Sequence, residues 1–61
     1  MIRIGIVEDN NTLRKSLASL FSEADGIQCV FSLNSLLHII KEIQKSKPDV
    51  ILMDIGLPNI S

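Results

Sequence analysis

The sequence has a single cysteine, almost no net charge, no low-complexity tract and no long apolar run. One cysteine, Cys29, cannot form an internal disulfide, and no Cys/His spacing of the metal-binding kind accompanies it. Six basic residues against seven acidic ones leave a formal net charge of -1, which gives no field for gripping a nucleic-acid backbone or an anionic membrane. No stretch is long enough to span a bilayer, and Ile2-Arg3-Ile4-Gly5-Ile6-Val7 is too short and too alternating for a secretory signal core. A cytoplasmic, reducing location follows as the expectation. No glycine-rich phosphate loop follows the first apolar segment, which argues against a nucleotide-binding half-domain.

What is present is the composition of a globular chain, with 46% hydrophobic and 21% charged residues in 61 positions. A chain of this length buries only about 60% of the surface its unfolded form exposes, so stability is marginal from the outset. Ile2, Ile4 and Ile6 alternate with Arg3 and Gly5 and lead through Val7 into Glu8 and Asp9, the pattern of a β-branched strand with a polar end. Asn10 or Asn11 can cap a following helix, on which Leu13, Leu17, Leu20, Phe21 and Ala24 recur at helical spacing. Asp25-Gly26 supplies its stop.

Ile27, Cys29, Phe31 and Leu33 alternate with Gln28, Val30 and Ser32, which predicts a second strand, at a sheet edge. From Ser35 onward, Leu36, Ile39, Ile40 and Ile43 fall on one helical face, and Pro48 ends that helix near Ser46. Val50-Ile51-Leu52-Met53 is an uninterrupted apolar run ending in Asp54, as expected of a parallel strand covered on both faces. Gly56, Pro58 and Asn59 then mark a loop. The order β-α-β-α-β predicts an α/β fold with a three-stranded parallel sheet in the order 2-1-3. In that order the apolar third strand is an edge and invites pairing with something else, which suggests that the sheet continues beyond these residues.

Parallel pairing of the first and third strands brings Glu8 and Asp9 to the same end of the sheet as Asp54. The crevice beyond the carboxyl ends of parallel strands, where strand order reverses, is where ligands bind in such sheets. Clustered carboxylates repel one another unless a cation intervenes, and Mg²⁺ suits one or two carboxylates completed by water and phosphate oxygens. An Asp carboxylate can also attack a phosphoryl donor to form an acyl phosphate. Each motif has a plainer reading, since an acidic pair after a strand is often a solvated loop or a helix cap. His38, alone on a charged helix, reads as a solvated residue, and Cys29 as a small buried one.

Taken together, Ile4-Gly5-Ile6-Val7-Glu8-Asp9-Asn10 and Pro48-Asp49-Val50-Ile51-Leu52-Met53-Asp54-Ile55-Gly56-Leu57-Pro58 resemble the two N-terminal motifs of the bacterial two-component response regulator receiver family. The resemblance covers the whole chain and implies the N-terminal portion, residues 1–61, of a single receiver domain of flavodoxin-like fold, without its C-terminal strands and helices. It implies Asp54 as phosphoacceptor and Asp9 as a direct Mg²⁺ ligand, with Glu8 an acidic partner acting through water. The Gly56 carbonyl would be a further metal ligand, and Pro58 would shape the loop. The phosphoryl donor would be a sensor histidine kinase or a histidine phosphotransfer protein docking against the first helix, where Arg14, Lys15 and Ala18 are candidate contacts. The family's later hydroxyl residue and lysine fall beyond Ser61, so the isolated segment is expected to be impaired. Family members typically regulate transcription through an attached DNA-binding domain, which these residues do not include. The rival expectation is a non-catalytic half-domain that uses its third strand for self-association or for pairing with a C-terminal receiver half.

Overall fold

The computed structural model describes residues 1–54. Strand β1 spans Ile2–Glu8, helix α1 Asn11–Glu23, strand β2 Ile27–Leu33, helix α2 Ile39–Ser46 and strand β3 Val50–Asp54. The three strands form one parallel sheet in the order β2-β1-β3, so the α/β fold and the strand order read from the sequence both hold.

β1 is the centre of this sheet, paired on both edges, and its apolar residues account for most of the core. Ile4, Ile6 and Val7 are buried, joined by Phe31 of β2. Fully burying one such side chain is worth about 1.5–3 kcal/mol, so a core this small depends on each member. Phe31 reaches its place through an irregularity in the ladder. Ile4 pairs with Cys29 but Gly5 pairs with Phe31, leaving Val30 as the extra residue, and an inserted residue of this kind re-aims the side chains beyond it. The Phe31 ring then lies where a side chain at position 5 would project, so Gly5 is required for close approach.

α1 begins where Asn10 accepts a hydrogen bond from the Leu13 N–H at 2.9 Å, the side-chain cap that Asn favours at this position. It ends at Ala24, and Gly26, with φ +81°, turns the chain into β2. The helix packs on β1 and β2. Of the stripe expected to face the core, Leu17, Phe21 and Ala24 are partly buried, whereas Leu13 and Leu20 are exposed. Neither helix contributes a fully buried residue.

α2 starts later than its apolar spacing predicts. The Ser35 hydroxyl accepts from the Leu37 N–H at 3.3 Å, and the Leu36 carbonyl accepts from the Ile39 N–H at 3.1 Å. These local turns satisfy the backbone without a helix, a competition that serine side chains commonly win. Leu36, Leu37 and Ile40 are exposed, and α2 packs against β2. An apolar period without a surface to cover does not force helix. The C-terminus behaves as expected: Lys47 leaves the helix in the left-handed region at φ 49°, just before Pro48.

Arg3 ties this outer segment to the central strand. Its guanidinium donates to the Ser46 carbonyl at the end of α2 through Nε, at 3.1 Å, and through Nη2. Its backbone exchanges hydrogen bonds with Asp49, the Arg3 N–H to Oδ2 at 2.9 Å and the Asp49 N–H to the Arg3 carbonyl at 2.7 Å. β3 is thereby anchored at its start and paired with β1 from Ile4↔Val50 to Glu8↔Asp54. It is not covered on both faces as its apolar run predicts, because Val50 and Met53 are each 50% exposed.

Candidate functional site

The pairing of β1 with β3 decides which acids meet. Glu8 and Asp54 are partners across the last rung of the ladder, on strands about 4.8 Å apart, and paired positions of a parallel sheet present their side chains to the same face. Asp9 follows directly, in the bend that leads to α1. The three acids singled out in the sequence thus gather at the carboxyl end of the sheet, on both sides of the gap between its first and third strands. The Gly56 carbonyl and Pro58 lie outside the described residues.

The acids differ in environment. Asp9 and Asp54 are exposed, whereas Glu8 is 3% exposed. Its Oε2 accepts from the Asn10 N–H at 2.9 Å, while Oε1, also buried, has no hydrogen-bond partner among the described residues. The Glu8 carboxyl is accordingly raised above its ordinary value. The Asn10 N–H acts to lower it, but desolvation, a carboxyl–carboxyl interaction with Asp9, and the negative charges of Asp54 and Asp9 together outweigh that bond.

A cation at this cluster would offset the repulsion among the three carboxylates. A buried carboxylate oxygen without a donor costs free energy, and a hard divalent ion or a water held by one would satisfy it. Among the described residues no three His, Cys, Asp or Glu side chains close into a metal-ligand set. Mg²⁺ does not require one, because it is usually held by one or two carboxylates with water and phosphate oxygens filling the remaining positions. The donor set therefore fits Mg²⁺ as an open site rather than as a cage.

Arg14 belongs to this end of the molecule in a way its sequence position did not reveal. It is partly buried, and its Nη1 donates to the Glu8 carbonyl at 3.2 Å and to Asn11 Oδ1 at 2.6 Å. Lys15 remains exposed, beside Ser16, Ser19, Leu20 and Glu23, which line an open concavity of about 450 Å³ on α1. His38 stands exposed at the start of α2 and makes no side-chain capping hydrogen bond among the described residues. Cys29 donates to the Phe31 carbonyl at 3.4 Å, and burial pushes its thiol up, so it stays protonated, consistent with a small packed side chain.

A parallel α/β sheet with acids at the carboxyl ends of adjacent strands defines a class of ligand-binding domain in which chemistry sits at that edge. The family described as the response regulator receiver domain matches residues 4–61, and the chain belongs to that family. It is similar to the response regulator GacA of Pseudomonas viridiflava, with 35% identity over 98% of this chain and 28% of that protein. It is also similar to the transcriptional regulatory protein YhcZ of Bacillus subtilis, with 32% identity over 97% of this chain and 28% of that one. A third relative is a protein-glutamate methylesterase/protein-glutamine glutaminase of Oleidesulfovibrio alaskensis, 32% identical over 98% of this chain and 16% of its own length. The chain thus spans well under a third of the curated relatives it matches. No solved structure matches it significantly.

Proposed function

We propose that residues 1–61 are the N-terminal portion of one receiver domain and that Asp54 accepts a phosphoryl group from a histidine of a sensor kinase or phosphotransfer protein. The observation that carries this reading is the rung Glu8↔Asp54, with Glu8 buried and Asp54 exposed at the same sheet end. An exposed carboxylate can reach a donor; a buried one cannot. An Asp54 carboxylate oxygen bonds to phosphorus as the P–N bond to the donor imidazole breaks, the electron pair leaving with the nitrogen, which takes up a proton.

Glu8, Asp9, Asp54 and the Gly56 carbonyl are the groups that would hold Mg²⁺, with Glu8 acting through water. When bound, the ion offsets the negative charge that develops on the transferred group. The open concavity on α1 lined by Lys15, Ser16, Ser19, Leu20 and Glu23 would offer a surface to the donor protein. As part of a response regulator the chain would act in the cytoplasm. None of its described helices is long and apolar enough to cross a membrane. The relatives that share this segment differ in name, a transcriptional regulatory protein in one case and a protein-glutamate methylesterase in another, so transcriptional control would come from residues outside this segment.

Mass spectrometry after incubation with Mg²⁺ and acetyl phosphate tests the reading. The expected label is one phosphoryl group on Asp54, absent in Asp54→Asn. Its rate is expected to rise when the C-terminal half of a receiver domain is supplied, because preorganised cationic and hydroxyl groups contribute much of the transition-state stabilisation. A label that persists in Asp54→Asn would overturn the assignment.

The exposure of Val50 and Met53 favours a second role for the same chain, pairing through β3 with another copy or with a C-terminal receiver half. Sedimentation showing a folded monomer at all concentrations, unchanged by a C-terminal half, would refute it.

A further inference from the structure

The turn between β1 and α1 is closed by a ring of hydrogen bonds. Glu8 Oε2 accepts from the Asn10 N–H at 2.9 Å, Asn10 Oδ1 from the Leu13 N–H at 2.9 Å, and the Asn10 carbonyl from the Arg14 N–H at 2.8 Å. Arg14 Nη1 then returns across the turn to Asn11 Oδ1 and to the Glu8 carbonyl. One side chain therefore joins the first turn of the helix to the last residue of the strand, across the bend that contains Asp9. We propose that Arg14 is a positioning residue for the acidic site, setting the direction of the turn so that Glu8 and Asp9 stand ready for a divalent cation.

The two described acceptors of Nη1 are uncharged oxygens, one on the backbone of Glu8 and one on the Asn11 side chain, so these bonds act on the shape of the turn itself. Positioning and simple electrostatics then make opposite forecasts. A cation beside a cation site repels the incoming ion, so removing Arg14 on electrostatic grounds alone would tighten Mg²⁺ binding. Removing a group that orients the ligands weakens metal binding instead, by roughly 10–100-fold where such outer groups have been removed.

The inference rests on the proposed Mg²⁺ site, and calorimetric titration of Mg²⁺ into the 61-residue chain separates the two. Arg14→Met keeps a good helix former and an apolar stem but no donor. It is expected to weaken binding roughly tenfold or more, whereas Arg14→Lys, with its own donors on a shorter chain, is expected to recover part of the loss. Hydrogen exchange gives a readout independent of the metal. In Arg14→Met the N–H groups of Asn10 and Leu13 are expected to exchange faster while those of Ile6 and Val7 stay protected, which separates a loosened turn from a loosened fold. Unchanged or tighter Mg²⁺ binding in Arg14→Met, with wild type binding normally, would overturn the positioning role alone. Absence of Mg²⁺ binding in wild type would overturn the site and this role with it.

Discussion

Strands β1 and β3 are built alike, each an apolar run that ends in an acid, yet the sheet treats them differently. β1 is paired on both edges, its Ile4, Ile6 and Val7 are buried, and its terminal Glu8 is sealed in with one carboxylate oxygen unpartnered among the described residues. β3 is paired on one edge, leaves Val50 and Met53 half exposed, and ends in an Asp54 that solvent and other molecules can reach. Similar residue types thus become core in one place and surface in the other, because burial depends on neighbours. The same asymmetry separates the acids into a buried one, Glu8, and an exposed one, Asp54, the proposed phosphoacceptor.

The sharpest way to break the comparison is to truncate the central strand. Ile6→Ala is expected to cost about 2–5 kcal/mol, read from the denaturant midpoint at unchanged slope. That loss is a large fraction of the total stability of any small domain, and a variant as stable as wild type would show that β1 is not the core. Gly5→Ala comes next. Its methyl group meets the Phe31 ring, and overpacking of this kind is expected to cost about 1–3 kcal/mol. A neutral result would mean that the β2 irregularity does not fix Phe31 in place.

Glu8→Gln probes the acid at the end of β1. The Glu8 carboxyl is raised in the folded chain, so the folded state binds its proton more tightly than the unfolded state does. Its contribution is fully present below the ordinary value of 4.5 and is lost as pH rises through the raised folded value. Wild-type stability without divalent ions is therefore expected to fall over that window, measured by thermal melts across pH, and to fall less in Glu8→Gln. Equal pH slopes in the two proteins would contradict the raised carboxyl. The smallest effect is expected on β3, where Met53→Ala should change stability by under about 1 kcal/mol, since the side chain is already half in solvent.

Much of this was legible in the sequence. The alternating Ile2, Ile4, Ile6 and the Asn10 cap define β1 and the start of α1, and Pro48 sets the end of α2. The gathering of Glu8, Asp9 and Asp54 follows from strand order alone. What periodicity did not reveal is where a pattern lacks a partner. Leu36 and Ile40 keep helical spacing, but the Ser35 turn and the lack of a covering surface among the described residues leave the helix to begin at Ile39. Leu20 likewise sits on the apolar stripe of α1 and remains exposed. Arg14 was read as a candidate docking contact on the first helix, and its bond to the Glu8 carbonyl is one that no side-chain pattern encodes.

The central claim is that Glu8, Asp9 and Asp54 form one divalent-cation site at the carboxyl end of the sheet. Paramagnetic Mn²⁺, a hard divalent ion that also favours oxygen ligands, tests it directly by broadening amide resonances near its binding position. The expected result is selective loss of the Glu8, Asp9 and Asp54 signals at low Mn²⁺, reversed by excess Mg²⁺, with Gln28 and Lys45 unaffected. Uniform broadening along the chain, or selective broadening centred elsewhere, would contradict the site.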